Sequence, residues 1–156
     1  MHKEDILTAL NKIDFLKKSK DLSERYKSDT GNGVSITNED VFSASEKCGF
    51  EAKYNKAGNT FSVTDKLANG YIFKFAFEIK YSSFDFAWFV YEGKEYIFGG
   101  PWLKHMRTLT GDPDYRCGRP AFKSAKEMEE ILSEAFQMFK DFKEQVLNEA
   151  EKDTTK

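Results

Sequence analysis

Cysteine and histidine are scarce in this chain, which holds only Cys48, Cys117, His2 and His105. Neither type recurs at the close spacing of a structural zinc site, and the two cysteines read as reduced thiols rather than a disulfide framework. Long apolar runs are also missing. The longest, AWFVY at 87–91, is far short of the ~20 residues that cross a bilayer, and MHKEDILTALNKID carries charge throughout, unlike a secretory leader. A soluble cytoplasmic protein without a membrane partner is therefore expected. Positive charge is not in excess: the net charge is −2, which argues against direct nucleic-acid binding. Spaced glycines of a phosphate or dinucleotide loop are absent as well. The adjacent pair Gly99-Gly100 is followed by Pro101, which lacks the amide such a cradle uses, so FGGP reads as a strand end leading into a turn or a short helix. No cofactor or metal is expected.

What the chain does have is aromatic residues and clear periodicity. Its 156 residues suffice for a single domain that buries roughly 68–70% of its unfolded surface. Ile6, Leu10 and Ile13, widened by Leu7 and Leu16, predict a helix over 3–20. KSDTGNG at 27–33 predicts an exposed loop, and Asn38 predicts the cap of a short helix ending near Gly49. From residue 50 the period becomes two. FEAKYNK and TFSVTDK flank Ala-Gly-Asn as a hairpin, and YIFKFAFEIKY at 71–81 places Tyr71, Phe73, Phe75, Phe77, Ile79 and Tyr81 on one face. Ser82-Ser83 then turns the chain into FDFAWFVY at 84–91, and Glu92-Gly93 or Gly93-Lys94 turns it into EYIF at 95–98. A capping box, Ser124 with Glu127, opens a final helix whose stripe is Met128, Ile131, Leu132, Ala135, Phe136, Phe139, Phe142 and Val146. The expected fold is α+β: an antiparallel meander of about five strands against a long C-terminal helix, with N-terminal helices. The single domain 1–156 divides into a helical N-terminal region (1–49), the sheet (50–99), an irregular basic segment (100–123), the C-terminal helix (124–149) and a frayed tail (150–156).

Candidate sites are few, and each has a plain structural reading. Lys104, Arg107, Arg116 and Arg119 could bind an anion by charge-assisted hydrogen bonds, although Asp112, Asp114 and the acids beyond Glu127 are available to neutralise them. His105 and Cys117 could in principle form a base and nucleophile, with Asp112 or Asp114 as the orienting acid, but no family signature surrounds the cysteine. Residues 124–156 hold five basic and nine acidic groups, and their outward carboxylates read as a solvated helix face or as a dock for a basic partner. FDFAWFVY is apolar on both faces. Covering its reverse face with the N-terminal helices is the simpler account; an aromatic binding patch is the other.

The aromatic hairpin strands, IFGGPW, the basic stretch and RPAFKSAKEMEEILSEAFQMFKDF together resemble small bacterial immunity proteins of polymorphic toxin systems, over residues 70–145. The resemblance implies a cytoplasmic, non-enzymatic protein that binds a cognate toxin domain and blocks it, without a cofactor. On that reading Tyr96 and Trp102 are expected as hot-spot contacts, and Glu129, Glu130 and Asp141 as electrostatic ones. A small-ligand or anion-binding module using the sheet face and the 99–119 loop is the alternative. An open sheet edge or aromatic patch would equally support a homodimer.

Overall fold

In the computed structural model, which describes residues 1–27 and 33–154, the fold is α+β. Its elements are α1 (Lys3–Lys12), α2 (Phe15–Arg25), α3 (Asn38–Lys47), β1 (Lys53–Asn55), β2 (Thr60–Lys66), β3 (Tyr71–Lys80), β4 (Ser83–Glu92), β5 (Glu95–Pro101), α4 (Trp102–Thr110) and α5 (Ala125–Thr154). The strands form one sheet in the order β1-β2-β3-β4-β5, each antiparallel to its neighbours. Most of the loop expected at 27–33 lies outside the described residues. Among the described residues no helix is long and apolar enough to cross a membrane.

Local chemistry moves several expected boundaries. The helix expected over 3–20 is two, because Asp14 adopts the left-handed conformation (φ 55°, ψ 42°) and re-aims the chain between α1 and α2. Thr37, not Asn38, caps α3: Asp40 N donates to Thr37 Oγ1 at 3.1 Å, and Thr37 N donates to Asp40 Oδ2 at 3.0 Å. The β3–β4 turn sits one residue earlier than expected. Lys80 pairs with Ser83, and Tyr81 and Ser82 both have positive φ (53° and 59°), the hand that matches strand twist. Ser82 is held there by Phe122 N, which donates to its carbonyl at 2.9 Å, and by Val34 N, which donates to its hydroxyl at 2.7 Å. Gly93-Lys94 makes the β4–β5 turn, with Gly93 at φ 60°.

Two corrections concern the C-terminal half. Residues 100–123 are not irregular throughout, since α4 begins directly after Pro101 and ends at Gly111, whose φ of 69° suits a helix C-cap. The tail also stays helical past 149. Ala150 is buried, and Glu149 pairs with Lys12 of α1 and with Lys152 at 3.2 Å, so the helix is anchored where fraying was expected from 150, while the last two residues of that tail lie outside the described residues.

The core is a layer of rings between the sheet and the helices. Cross-strand pairs Phe73–Val90, Phe75–Trp88 and Phe77–Phe86 place their side chains on one face, where the expected α5 stripe from Met128 to Val146 is buried against them. Phe75 is its hub. Its ring centroid lies 5.1 Å from that of Phe136, 5.3 Å from Phe139 and 5.4 Å from Phe86. Phe15 of α2 meets Trp88, Phe42 of α3 meets Phe61, and Trp102 of α4 meets Phe86, while Ile6 and Leu10 of α1 join the same cluster. All the described helices therefore lie on one side of the sheet. The N-terminal helices do not cover the reverse face, contrary to the simpler expectation.

Truncating the hub tests this packing. Phe75→Ala should cost about 3–5 kcal/mol, read as a lower urea midpoint with an unchanged denaturant slope. A loss below about 1 kcal/mol would contradict its central place.

Candidate functional site

With every helix on one side, the reverse face of the sheet is a candidate surface. Alternation puts Ile72, Lys74 and Ala76 of β3 there, with Ala87, Phe89 and Tyr91 of β4. None of these belongs to the core cluster or packs against it. Tyr96 joins them because of an irregularity. Tyr91 pairs with Tyr96 but Val90 pairs with Phe98, so one extra β5 residue, Ile97, sits in a bulge. The bulge lets two even-numbered residues face opposite ways: Tyr96 meets Tyr91 ring to ring at 5.9 Å, whereas Phe98 enters the core.

Gly99 completes the surface. A Cβ on it would lie 2.4 Å from Phe89 Cδ1 and 3.1 Å from Tyr96 Cε2, so the Phe89 ring occupies the space a side chain would need. Tyr96 Oη donates to Gly99 O at 3.0 Å, and Lys74 Nζ stands 6.0 Å from the Phe89 ring centroid. Lys53, Lys66 and Lys80 share this face by alternation, against Glu78 and Asp85. The result is a half-exposed aromatic cluster on β4 and the edge strand β5, with a mainly cationic region beside it on β1, β2 and β3.

The residues expected to contact a partner do not form one surface. Tyr96 is 52% exposed on the reverse face, whereas Trp102 is 4% exposed. Trp102 is the first residue of α4, whose apolar side is Trp102, His105, Met106 and Leu109, and its ring stacks into the core beside Phe86, Trp88 and Phe15. It is a core residue and not a surface contact. That i, i+3, i+4, i+7 spacing was the signal in the sequence that could have found α4. Glu129, Glu130 and Asp141 lie on α5 in the helix layer, across the sheet from Tyr96. Each already has a partner: Lys47 Nζ at 2.8 Å from Glu129, Tyr26 Oη donating to Glu130 at 2.9 Å, and Gln137 Nε2 donating to Asp141 at 3.1 Å. Burial together with Glu130 raises the Tyr26 phenol to about 12. Glu129 thus ties α5 to α3 and Glu130 ties it to the end of α2, as Glu134 does through Arg25, whereas Asp141 is held within α5.

The basic residues expected to hold an anion are partly brought together. A cavity of about 610 Å³ opens between β4, α4 and residues 113–120, and Lys104, Arg107 and Arg119 line it. Arg116 instead lines a neighbouring groove with Lys20 and Lys27. Among the described residues neither Asp112 nor Asp114 pairs with these arginines; Asp112 Oδ1 accepts from Asp114 N as a turn contact at 2.9 Å. Arg107 Nε donates to Tyr115 O at 3.1 Å, and Arg119 lies 3.4 Å from Asp85.

His105, Cys117 and Asp112 are not assembled for catalysis. His105 is 1% exposed, stacked 4.5 Å from Phe98, and its Nε2 has no hydrogen-bond partner. Cys117 Sγ lies 3.3 Å from Ser23 Oγ instead, and both cysteines are free thiols. Desolvation pushes the His105 imidazole down to about 4, only partly offset by the backbone of Trp88 and Gly100. It is a neutral core ring at pH 7.

Two measurements probe these features. Gly99→Ala should destabilise the protein by about 1–3 kcal/mol, and by distinctly less in a Phe89→Ala background, since the clash needs the ring. Equal costs in both backgrounds would refute the contact. For His105, the unfolded imidazole binds its proton near 6.5 and the folded one near 4. The unfolded chain holds more protons between those values, so stability is full above ~6.5 and falls by about 3 kcal/mol as pH drops through the window. Urea midpoints against pH should show that slope, and His105→Leu should flatten it; an unaltered slope would exclude His105 as its source.

No family model matches this chain, and neither a curated protein nor a solved structure matches it.

Proposed function

We propose that this chain is a non-enzymatic binding protein that docks a partner protein on the open face of its sheet. By the immunity-protein resemblance, that partner is a cognate toxin domain. The observation that carries the reading is the open reverse face, with Phe89, Tyr91 and Tyr96 on β4 and the edge strand β5, and Lys53, Lys66, Lys74 and Lys80 on the strands to one side of them. Rigid aromatic side chains supply large contact area at low entropic cost, and tyrosine is enriched among interface hot spots. Held from both sides by Gly99 and the β-bulge, these rings are ordered before a partner arrives, which lowers the cost of association.

The charge frame specifies the partner further. An apolar projection with carboxylates along one side complements an aromatic cluster with lysines on the neighbouring strands. This reverses the expected electrostatics. Glu129, Glu130 and Asp141 are occupied within the helix layer, so the docking charge on the open face is positive even though the net charge of the chain is negative.

A growth-rescue assay tests the proposal, with the C-terminal domain of the protein encoded immediately upstream as the toxin. Co-expression of this chain should relieve killing. Tyr91→Ala with Tyr96→Ala should weaken binding to the purified toxin domain by about 2 kcal/mol or more, while Glu129→Gln with Asp141→Asn should leave it within about 0.5 kcal/mol. Killing that this chain cannot relieve would sink the pairing, and the opposite ranking of the two double variants would move the interface to α5.

A further inference from the structure

The cavity beside β4 exists because the sheet is interrupted there. β5 pairs with β4 only as far as Ala87–Pro101, after which the chain turns into α4. The edge of β4 is next met at Ser83 by Ala121, where Phe84 N donates to Pro120 O at 2.9 Å. Between these points Asp85 and Phe86 have no strand partner on that side among the described residues. The space left behind is the cavity of about 610 Å³, within the roughly 300–1,000 Å³ typical of small-molecule sites.

Its lining has two distinct halves. Phe84, Phe86, Trp102 and Met106 contribute an apolar wall made of core side chains, held in place by ring contacts such as Phe86–Trp102 at 4.6 Å. Lys104, Arg107 and Arg119 contribute cations, against the single carboxylate of Asp85. Arg107 is oriented by its Nε donating to Tyr115 O, and among the described residues no carboxylate pairs with it. Arg119 reaches Asp85 at 3.4 Å with both side chains substantially exposed, a contact that a ligand carboxylate can displace at small cost. A planar guanidinium suits a carboxylate, which it can hold through two parallel hydrogen bonds.

We infer that this cavity is a binding site for a small amphipathic anion: a flat aromatic body against Phe84, Phe86 and Trp102, with its carboxylate at Arg107 and Arg119. Inorganic phosphate alone would forfeit the apolar wall, and a neutral aromatic would forfeit the charge. The site lies at the β4 edge and borders the open face at Asp85.

Calorimetric titration of the full chain with 2-naphthoate, 2-naphthamide and inorganic phosphate tests this, with tryptophan emission as a second readout because Trp102 belongs to the wall. Naphthoate should bind with a Kd below about 1 mM, naphthamide about tenfold or more weaker, and phosphate not measurably. Arg119→Gln should bring naphthoate close to naphthamide. Gly118 lines the cavity and a Cβ there meets nothing within 4 Å, so Gly118→Phe should fill the space and abolish both aromatic ligands while the fold is kept. Absence of naphthoate binding to the unsubstituted chain overturns the inference by itself, whatever the variants do. So does equal affinity for naphthamide, phosphate binding as tight as naphthoate, or naphthoate binding that survives Gly118→Phe.

Discussion

Everything in this fold depends on one contact, the phenylalanine stripe of α5 laid across the aromatic face of β3 and β4. Phe136, Phe139 and Phe142 reach Phe75, Trp88 and Phe73, and Phe142 stacks on Trp88 at 4.6 Å. Large rings bury more area than any other side chains and hold preferred mutual geometries, so this contact sets both the height and the direction of the helix. The other helices then pack against what remains. Polar contacts follow the same plan, with Lys12, Arg25, Lys47 and Asp65 each reaching a charged group on α5 from a different element. The surface carboxylates and lysine of α5 are spacers for its neighbours.

One consequence is asymmetry. A sheet whose helices all choose the same face leaves the other bare, and here the bare face is not uniformly polar as in most half-solvated antiparallel sheets. Ile72, Ala76, Phe89 and Tyr91 occupy positions where alternation alone would allow lysine or threonine. Phe89 lies over Gly99, so the strand gives up a side chain in order to seat a ring. This aromatic cluster, kept outside the core and braced by glycine, is the feature on which the proposed docking rests. The second consequence is the gap beside β4. Once Pro101 has turned the chain into α4, the sheet edge stays open until Ala121, and cations from α4 and the returning segment surround it.

Sequence and structure diverge where a single residue changes the frame. The α5 stripe was legible residue by residue, since a helix's period survives whatever it packs against, and so was the alternation of β3. Tyr96 and Phe98 share a parity, and only the bulge at Ile97 separates the surface ring from the core ring. Trp102 and Tyr96 looked alike as exposed aromatics, yet one opens a helix and is buried while the other stays out. Asp14 broke a helix without any glycine or proline to announce it.

The amino-acid sequence by itself determined the fold class, the long C-terminal helix with its buried face, the strands and their mainly correct turns. These follow from local periodicity and capping, which act between residues at most a few positions apart. The tertiary structure alone decided which face the N-terminal helices cover, which charges are paired, and whether Lys104, Arg107 and Arg119 meet around a cavity. Those outcomes depend on contacts between distant segments, such as Glu129 with Lys47 and Arg119 with Asp85, which no local pattern encodes.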